Sequence, residues 1–243
     1  MPFFTYGNST FDYDLITTEA ADDVKISVEW MEGITVTAPI HVTPEQLTPV
    51  LRKKAPWIIK KWSELNEIAS PPVPKEFVSG EKFPYIGRQY RLKVLTGRDI
   101  EQPDFTFRQN AFIATIPQHW DKQTRRKWLR NAFQEWYISF GSVKLKERLI
   151  RFAKLLGVQP TGLTLKEQKM RWGSCTKTGD ILINWRLVMA PARVIDYVLV
   201  HELAHMKVPD HSADFWRLVR GILPDYEERK EWLRVNGPTL TLE

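Results

Sequence analysis

The chain has 243 residues, of which 43% are apolar and 26% charged, with ten tryptophans, twelve phenylalanines and seven tyrosines. That composition excludes disorder, collagen and coiled coil, and a chain of this size buries well over half of the surface that its unfolded form exposes. Lysine and arginine number 35 against 29 acidic residues, a formal charge of +6 that favours acidic or phosphate-bearing partners without identifying one.

In chain order, the first 40 residues alternate apolar and polar side chains. The alternation is clearest in Val24 to Trp30 and Ile34 to Ala38, and it predicts a β-hairpin. Thr43, Pro44 and Gln46 provide the N-cap, first-turn proline and capping-box partner of a helix. Pro56 is expected to interrupt it, with a second short helix following from Trp57 to about Ile68. The prolines of Ala69-Ser70-Pro71-Pro72-Val73-Pro74 mark a linker and a boundary. From Phe77 to Ile116 the period returns to two, with Tyr90–Leu95 and Ala111–Ile116 as the best strands, and a meander extending the first sheet is expected. Asp121 opens a helical stretch with an apolar stripe at Leu129, Ala132, Phe133, Trp136 and Phe140. A second stripe, Leu145, Leu149, Phe152 and Leu156, ends at Gly157, and Gly141 is the place where the helix would kink or divide. Gly162–Leu165 and Ile181–Asn184 read as strands flanking Arg171–Thr176. Pro191 precedes a helix to about Met206, and short helices over about 212–221 and 225–235 complete the chain. No internal repeat is visible. The fold class is α+β: residues 1–70 a β-hairpin plus helices, 71–118 a β-meander, and 119–243 a mainly helical domain.

The chemistry is concentrated in that last part. Three of the five histidines, His201, His205 and His211, lie within eleven residues, in the order H-E-x-x-H followed by a third histidine. Positions four apart share one helix face, so His201 and His205 can reach one ion through Zn–N bonds of about 2.0–2.1 Å. Glu202 is turned about 100° from His201, where its carboxylate can take a proton from an activated water without ligating the metal. Pro209 cannot continue the helix, and a reversal over 206–210 can bring His211 in as third ligand, leaving a fourth position open as catalysis requires. Solvated surface histidines are the competing reading. The helix polarity opposes it, because Val194, Val198, His201 and His205 form one stripe beside Ile195, Leu199 and Glu202.

Arg171-Trp172-Gly173-Ser174-Cys175, Ile183-Asn184-Trp185-Arg186-Leu187, and Val194–Val200 running into His201-Glu202-Leu203-Ala204-His205, with His211-Ser212 and Phe215-Trp216, resemble the YgjP-like metallopeptidase family. The likeness is close over about residues 160 to 235 and looser in the N-terminal hairpin, Lys54–Trp62 and Gly80–Leu92. It implies a zincin-like catalytic domain related to SprT-like proteases, with His201, His205 and His211 as ligands of one Zn2+ and Glu202 as the catalytic residue. Val208 stands where the metzincin motif carries glycine, so the turn to His211 is built differently.

Other residues admit two readings each. Cys175 is a nucleophile or a structural thiol. Gly173 is expected in a tight turn with Trp172 packed beneath the zinc helix, while Arg171 and Ser174 are candidates to face the substrate. Tyr197 and Tyr226 are candidate transition-state donors or core residues. Arg52-Lys53-Lys54, Trp57 and Lys60-Lys61-Trp62, and the row Lys122, Arg125, Arg126 and Arg130, are solvated faces or contacts to nucleic acid or a nucleotide phosphate. The first Met1–Thr5 segment lacks a signal peptide's basic and apolar regions, the single Cys175 allows no internal disulfide, and no window approaches the ~18 apolar residues of a membrane helix. A cytoplasmic location without membrane contact is expected, where the Asn8-Ser9-Thr10 sequon has no use. The leading expectation is a zinc-dependent peptidase acting on peptide or protein. The alternatives are a metal-dependent nucleotide or phosphoanhydride hydrolase, and a metal-free module that binds nucleic acid or protein. Manganese, nickel or cobalt can also occupy a three-histidine site.

Overall fold

The computed structural model describes residues 2–7, 9–19, 21–29, 33–65, 74–168 and 171–242. Most of the expected linker, residues 69–73, the last three residues of the expected second helix, 66–68, and the hairpin tip at 30–32 lie outside the described residues. The chain divides into two compact units, Met1–Ala69 with Gln168–Ser174, and Ser70–Glu167 with Cys175–Glu243.

The first unit carries four strands, β1 (Phe3–Tyr6), β2 (Ser9–Thr18), β3 (Lys25–Glu29) and β4 (Gly33–Pro39), followed by α1 (Pro44–Leu65). The expected β3–β4 hairpin is present, but the sheet order is β1-β2-β4-β3, with β2 parallel to β4 and the outer pairs antiparallel. Ile34, Val36 and Ala38 alternate into the core, where Leu47, Leu51, Ala55 and Ile58 of α1 meet them. The capping box forms, with the Thr43 backbone N–H donating to Gln46 Oε1 at 2.9 Å. Pro56 does not divide the helix, which runs unbroken through Pro49 and Pro56. Leu51 and Ile58, on either side of Pro56, are both fully buried. Their burial, with that of Leu47, contributes roughly 4.5–9 kcal/mol, the same size as the ~6 kcal/mol that the two interior prolines cost.

The second unit begins with β5 (Lys82–Tyr85), β6 (Arg88–Gly97), β7 (Asp104–Arg108) and β8 (Ala111–Pro117), followed by α2 (Lys122–Leu156). These strands do not extend the first sheet and are not a meander. They form a sheet of their own in the order β5-β6-β8-β7, with β6 parallel to β8. A period of two reports which face a residue takes and is blind to which strand lies beside it. The topology of the first unit is thus repeated: the same order, the same parallel central pair and a helix after the fourth strand. The repetition has no trace that a residue-by-residue reading of the chain finds.

The β5–β6 hairpin turns on Ile86 and Gly87, both at positive φ, 45° and 75°, as a two-residue turn with this twist requires. A Cβ at Gly87 would stand 2.8 Å from Pro191 Cα. The inner face of the sheet is aromatic. Phe83 stacks on Phe133 of α2 at 4.1 Å, and Phe112 meets Trp136 edge-on at 4.9 Å.

α2 is continuous through Gly141, from the Asp121 N-cap, whose carboxylate accepts from Thr124 N at 2.6 Å, to the left-handed Gly157. Its second half packs on β9 (Gly162–Lys166) and on a 3-10 turn over Trp185–Met189. A Cβ at Gly141 would lie 2.5 Å from Val188 Cγ2 and 3.0 Å from Leu165 Cδ2, so the glycine is the contact point and not a break. β9 runs parallel to β11 (Asp180–Asn184), and the chain passes between the units within β10 (Gly173–Cys175). Gly173 therefore lies in a strand. The tight turn falls at Thr176–Asp180, where Gly179 has φ 85° and Thr176 N donates to Asp180 O at 2.9 Å. The helix that carries His201 and His205, α3 (Ala192–His205), then α4 (Ala213–Ile222) and α5 (Tyr226–Asn236), complete the unit. No helix among the described residues is long and apolar enough to cross a membrane.

Candidate metal centre

Every residue of α3 from Val194 to Ala204 is buried, His201 and Glu202 to 1% exposure. Such a helix is held from outside. Asp196 accepts from Arg148 Nη1 of α2 at 2.6 Å and lies 3.5 Å from Arg151 Nη2. This tie between α2 and α3 has no motif in the sequence, because its partners stand 48 residues apart.

α3 ends at His205, where Met206, Lys207 and Val208 give their N–H groups to Leu203 and Ala204 carbonyls before Pro209 stops the helical run. The chain then reverses and α4 starts after Ser212. His211 stands just ahead of it, and its Nε2 lies 3.2 Å from His201 Nε2. His205 Nε2 lies 3.3 Å from the same atom. Ligand atoms of His201, His205 and His211 all fall within 4.8 Å of one another. With Zn–N bonds of about 2.05 Å in tetrahedral coordination, two ligand nitrogens stand about 3.3 Å apart. The separations to His201 match that spacing, and three converging imidazole nitrogens suit a shared cation. His205 Nδ1 lies 3.3 Å from Val208 O; a proton on Nδ1, donated to that carbonyl, turns the Nε2 lone pair inward.

An aromatic pair supports the histidines. The Phe215 ring is fully buried and its centroid lies 4.9, 4.6 and 4.8 Å from those of His201, His205 and His211. Trp216 stacks on His211 at 5.7 Å, and Tyr226 stacks on Trp216 at 5.2 Å. Neither Phe215 nor Trp216 is a site residue on sequence grounds alone; they stand in the first turns of α4, and their contact with the histidines comes from the chain reversal ahead of that helix. Asp210, hydrogen bonded to Ser212 and beside His211, is held below the usual carboxylate range.

The remaining candidates are placed as follows. Tyr197 is fully buried with its ring edge-on to His201 at 5.9 Å. Tyr226 donates its hydroxyl to Glu227 at 2.9 Å, and its ring lies against Trp216. Burial, with the Glu202 and Asp180 carboxylates, pushes the Cys175 thiol up to about 11, which opposes a nucleophilic role at neutral pH. Arg171 groups with the first unit, where its Nη1 donates to Asp14 Oδ2 at 2.5 Å.

Residues 22–236 match the model of the YgjP-like metallopeptidase domain. A solved structure, described as the metallopeptidase zymogen of Pyrococcus abyssi abylysin, matches at 27% identity over 36% of this chain and 89% of its own, with a TM-score of 0.34. No curated protein matches the chain. With a family match spanning nearly its whole length and a histidine cluster able to take a divalent ion, the chain belongs to the YgjP-like metallopeptidases and is a metal-dependent hydrolase acting as a peptidase.

Proposed function

We propose that His201, His205 and His211 hold one zinc ion and that Glu202 is the general base of peptide-bond hydrolysis. The observation that supports this most is the pair of Nε2 separations, 3.3 and 3.2 Å, centred on His201, the neighbour of Glu202 on α3. A divalent ion held there supplies positive charge that polarises the scissile carbonyl and acidifies the attacking water. Glu202 takes that water's proton on a carboxylate oxygen and delivers it to the departing amide nitrogen, so that proton, new C–O bond and broken C–N bond balance. Val208 O orients the His205 ring, and Phe215 holds the three imidazoles in mutual register.

The test is cleavage of an unfolded protein substrate by the zinc-loaded enzyme, followed as new peptide termini by mass spectrometry. Glu202→Gln should lower the rate by roughly 10²–10⁴-fold, the usual size of a general acid–base contribution, while keeping the metal. Phosphate release from nucleotides in place of new termini, lost in Glu202→Gln, would overturn the peptide reading in favour of a phosphoanhydride substrate. A folded protein that takes up no metal would leave only the binding module.

A further inference from the structure

The outer face of the second sheet carries a cluster of cations that the metal centre does not use. Lys82 of β5 and Arg91 of β6 stand directly opposite each other, Arg91 is level with Ala111 of β8, and Ala111 is level with Arg108 of β7. Lys93 follows Arg91 on the same face, two residues along β6. The inward residues of these strands are Phe83, Leu92 and Phe112, all fully buried, so Lys82, Arg91, Lys93 and Arg108 all point outward, and all four are exposed. With strands about 4.8 Å apart and about 6.7 Å between alternate residues, the four charges share a patch of roughly 15 by 7 Å. None of the four makes an ion pair among the described residues. Asp104, at the far end of β7, is the acidic residue on this face.

Like charges directly opposite on neighbouring strands destabilise a sheet. The free protein therefore carries an electrostatic cost at Lys82–Arg91 that a bound anion relieves. The patch ends at the β5 edge, where Lys75 Nζ donates to Lys82 O at 3.0 Å and is neutralised by Glu81 at 3.7 Å.

We propose that this face docks the phosphate backbone of duplex nucleic acid, independently of base sequence. Charge complementarity selects a polyanion. Leu95 is the one large apolar side chain exposed on the face, so the anchor of a protein–protein interface is lacking. The outward residues of β5, β6, β7 and β8 include no aromatic ring on which unpaired bases could stack, which turns the choice from single strands to duplex. Cations at fixed pitch on a sheet suit regularly spaced phosphates.

The test is fluorescence anisotropy of a short mixed-sequence DNA duplex titrated with the full chain between about 50 and 200 mM salt. Four phosphate contacts give a slope of log K against log salt of roughly −3.6, and Arg91→Ala with Lys93→Ala reduces its magnitude by about 1.8. Lys53→Ala with Lys54→Ala on α1 is the control and leaves the slope unchanged. Both double variants are at exposed positions, and equal melting temperatures certify their folds. An unchanged slope in the sheet variant, a lost slope in the control, no binding at the lowest salt, or displacement of the duplex by phosphatidylserine vesicles at equal anionic charge would each overturn the proposal.

Discussion

Alanine in place of glycine has opposite consequences at two helical positions of this protein, and the structure supplies the sign. At Gly141 an added Cβ meets Val188 Cγ2 at 2.5 Å, Leu165 Cδ2 at 3.0 Å and Val188 Cγ1 at 3.3 Å. Carbon atoms in contact prefer about 3.5–4.0 Å, so the 3-10 turn or α2 must shift. Overpacking of this kind costs about 1–3 kcal/mol, and with three contacts at a buried site we take the upper part of that range. Alanine returns about 1 kcal/mol of helix propensity. The net is a loss of about 1–2 kcal/mol, a melting temperature lower by roughly 2–8 °C for a chain of this size. At Gly221 of α4 nothing lies within 4 Å of an added Cβ, and the same substitution should raise stability by up to about 1 kcal/mol. Scanning calorimetry of the two single variants reads both signs. Val188→Ala combined with Gly141→Ala should cost less than the two single changes together, because the methyl group added at position 141 fills the space that the Val188 side chain vacates. A Gly141→Ala protein that melts at or above the wild type would refute the assignment of Gly141 as a contact point.

Three further outcomes are expected. Asp196→Ala leaves the partly buried Arg148 without its 2.6 Å partner and should destabilise by about 1–3 kcal/mol in urea unfolding, with Asp196→Asn recovering part of the loss. Cys175, with its thiol pushed up to about 11, should react with iodoacetamide at pH 8 roughly two hundredfold more slowly than a free cysteine, and tenfold faster per pH unit up to about pH 10. Since only the thiolate reacts, a rate near that of a small thiol at pH 8 would show the thiol to be unperturbed. A chelator should lower the melting temperature of the zinc-loaded wild type and leave that of His205→Ala where it is, because an ion bound only by the folded state stabilises that state.

The convergence of His201, His205 and His211 is legible in the sequence because its determinants are local. Helical spacing alone puts His201 and His205 on one face, and Pro209 alone forces the chain to turn ahead of His211. Strand partners are not legible, since alternation in Tyr90–Leu95 says nothing of whether β6 lies beside β7 or β8. The proline rule misleads at Pro56, where burial of Leu47, Leu51 and Ile58 on the sheet offsets a local cost. Gly141 misleads for the complementary reason: read along the chain, glycine is a helix breaker, but the determining neighbours, Val188 and Leu165, are distant in sequence. Phe215 and the Arg148–Asp196 pair escape a sequence reading for the same cause, since their meaning lies in what they touch.

The central claim is that three histidines hold a metal which Glu202 serves and does not ligate. Elemental analysis of the wild type, Glu202→Gln and His205→Ala, each offered zinc and then dialysed, tests it directly. The expected result is about one zinc per chain in the wild type and in Glu202→Gln, and none in His205→Ala. A folded wild type that stays empty, or a His205→Ala protein that holds zinc as well as the wild type does, would contradict it.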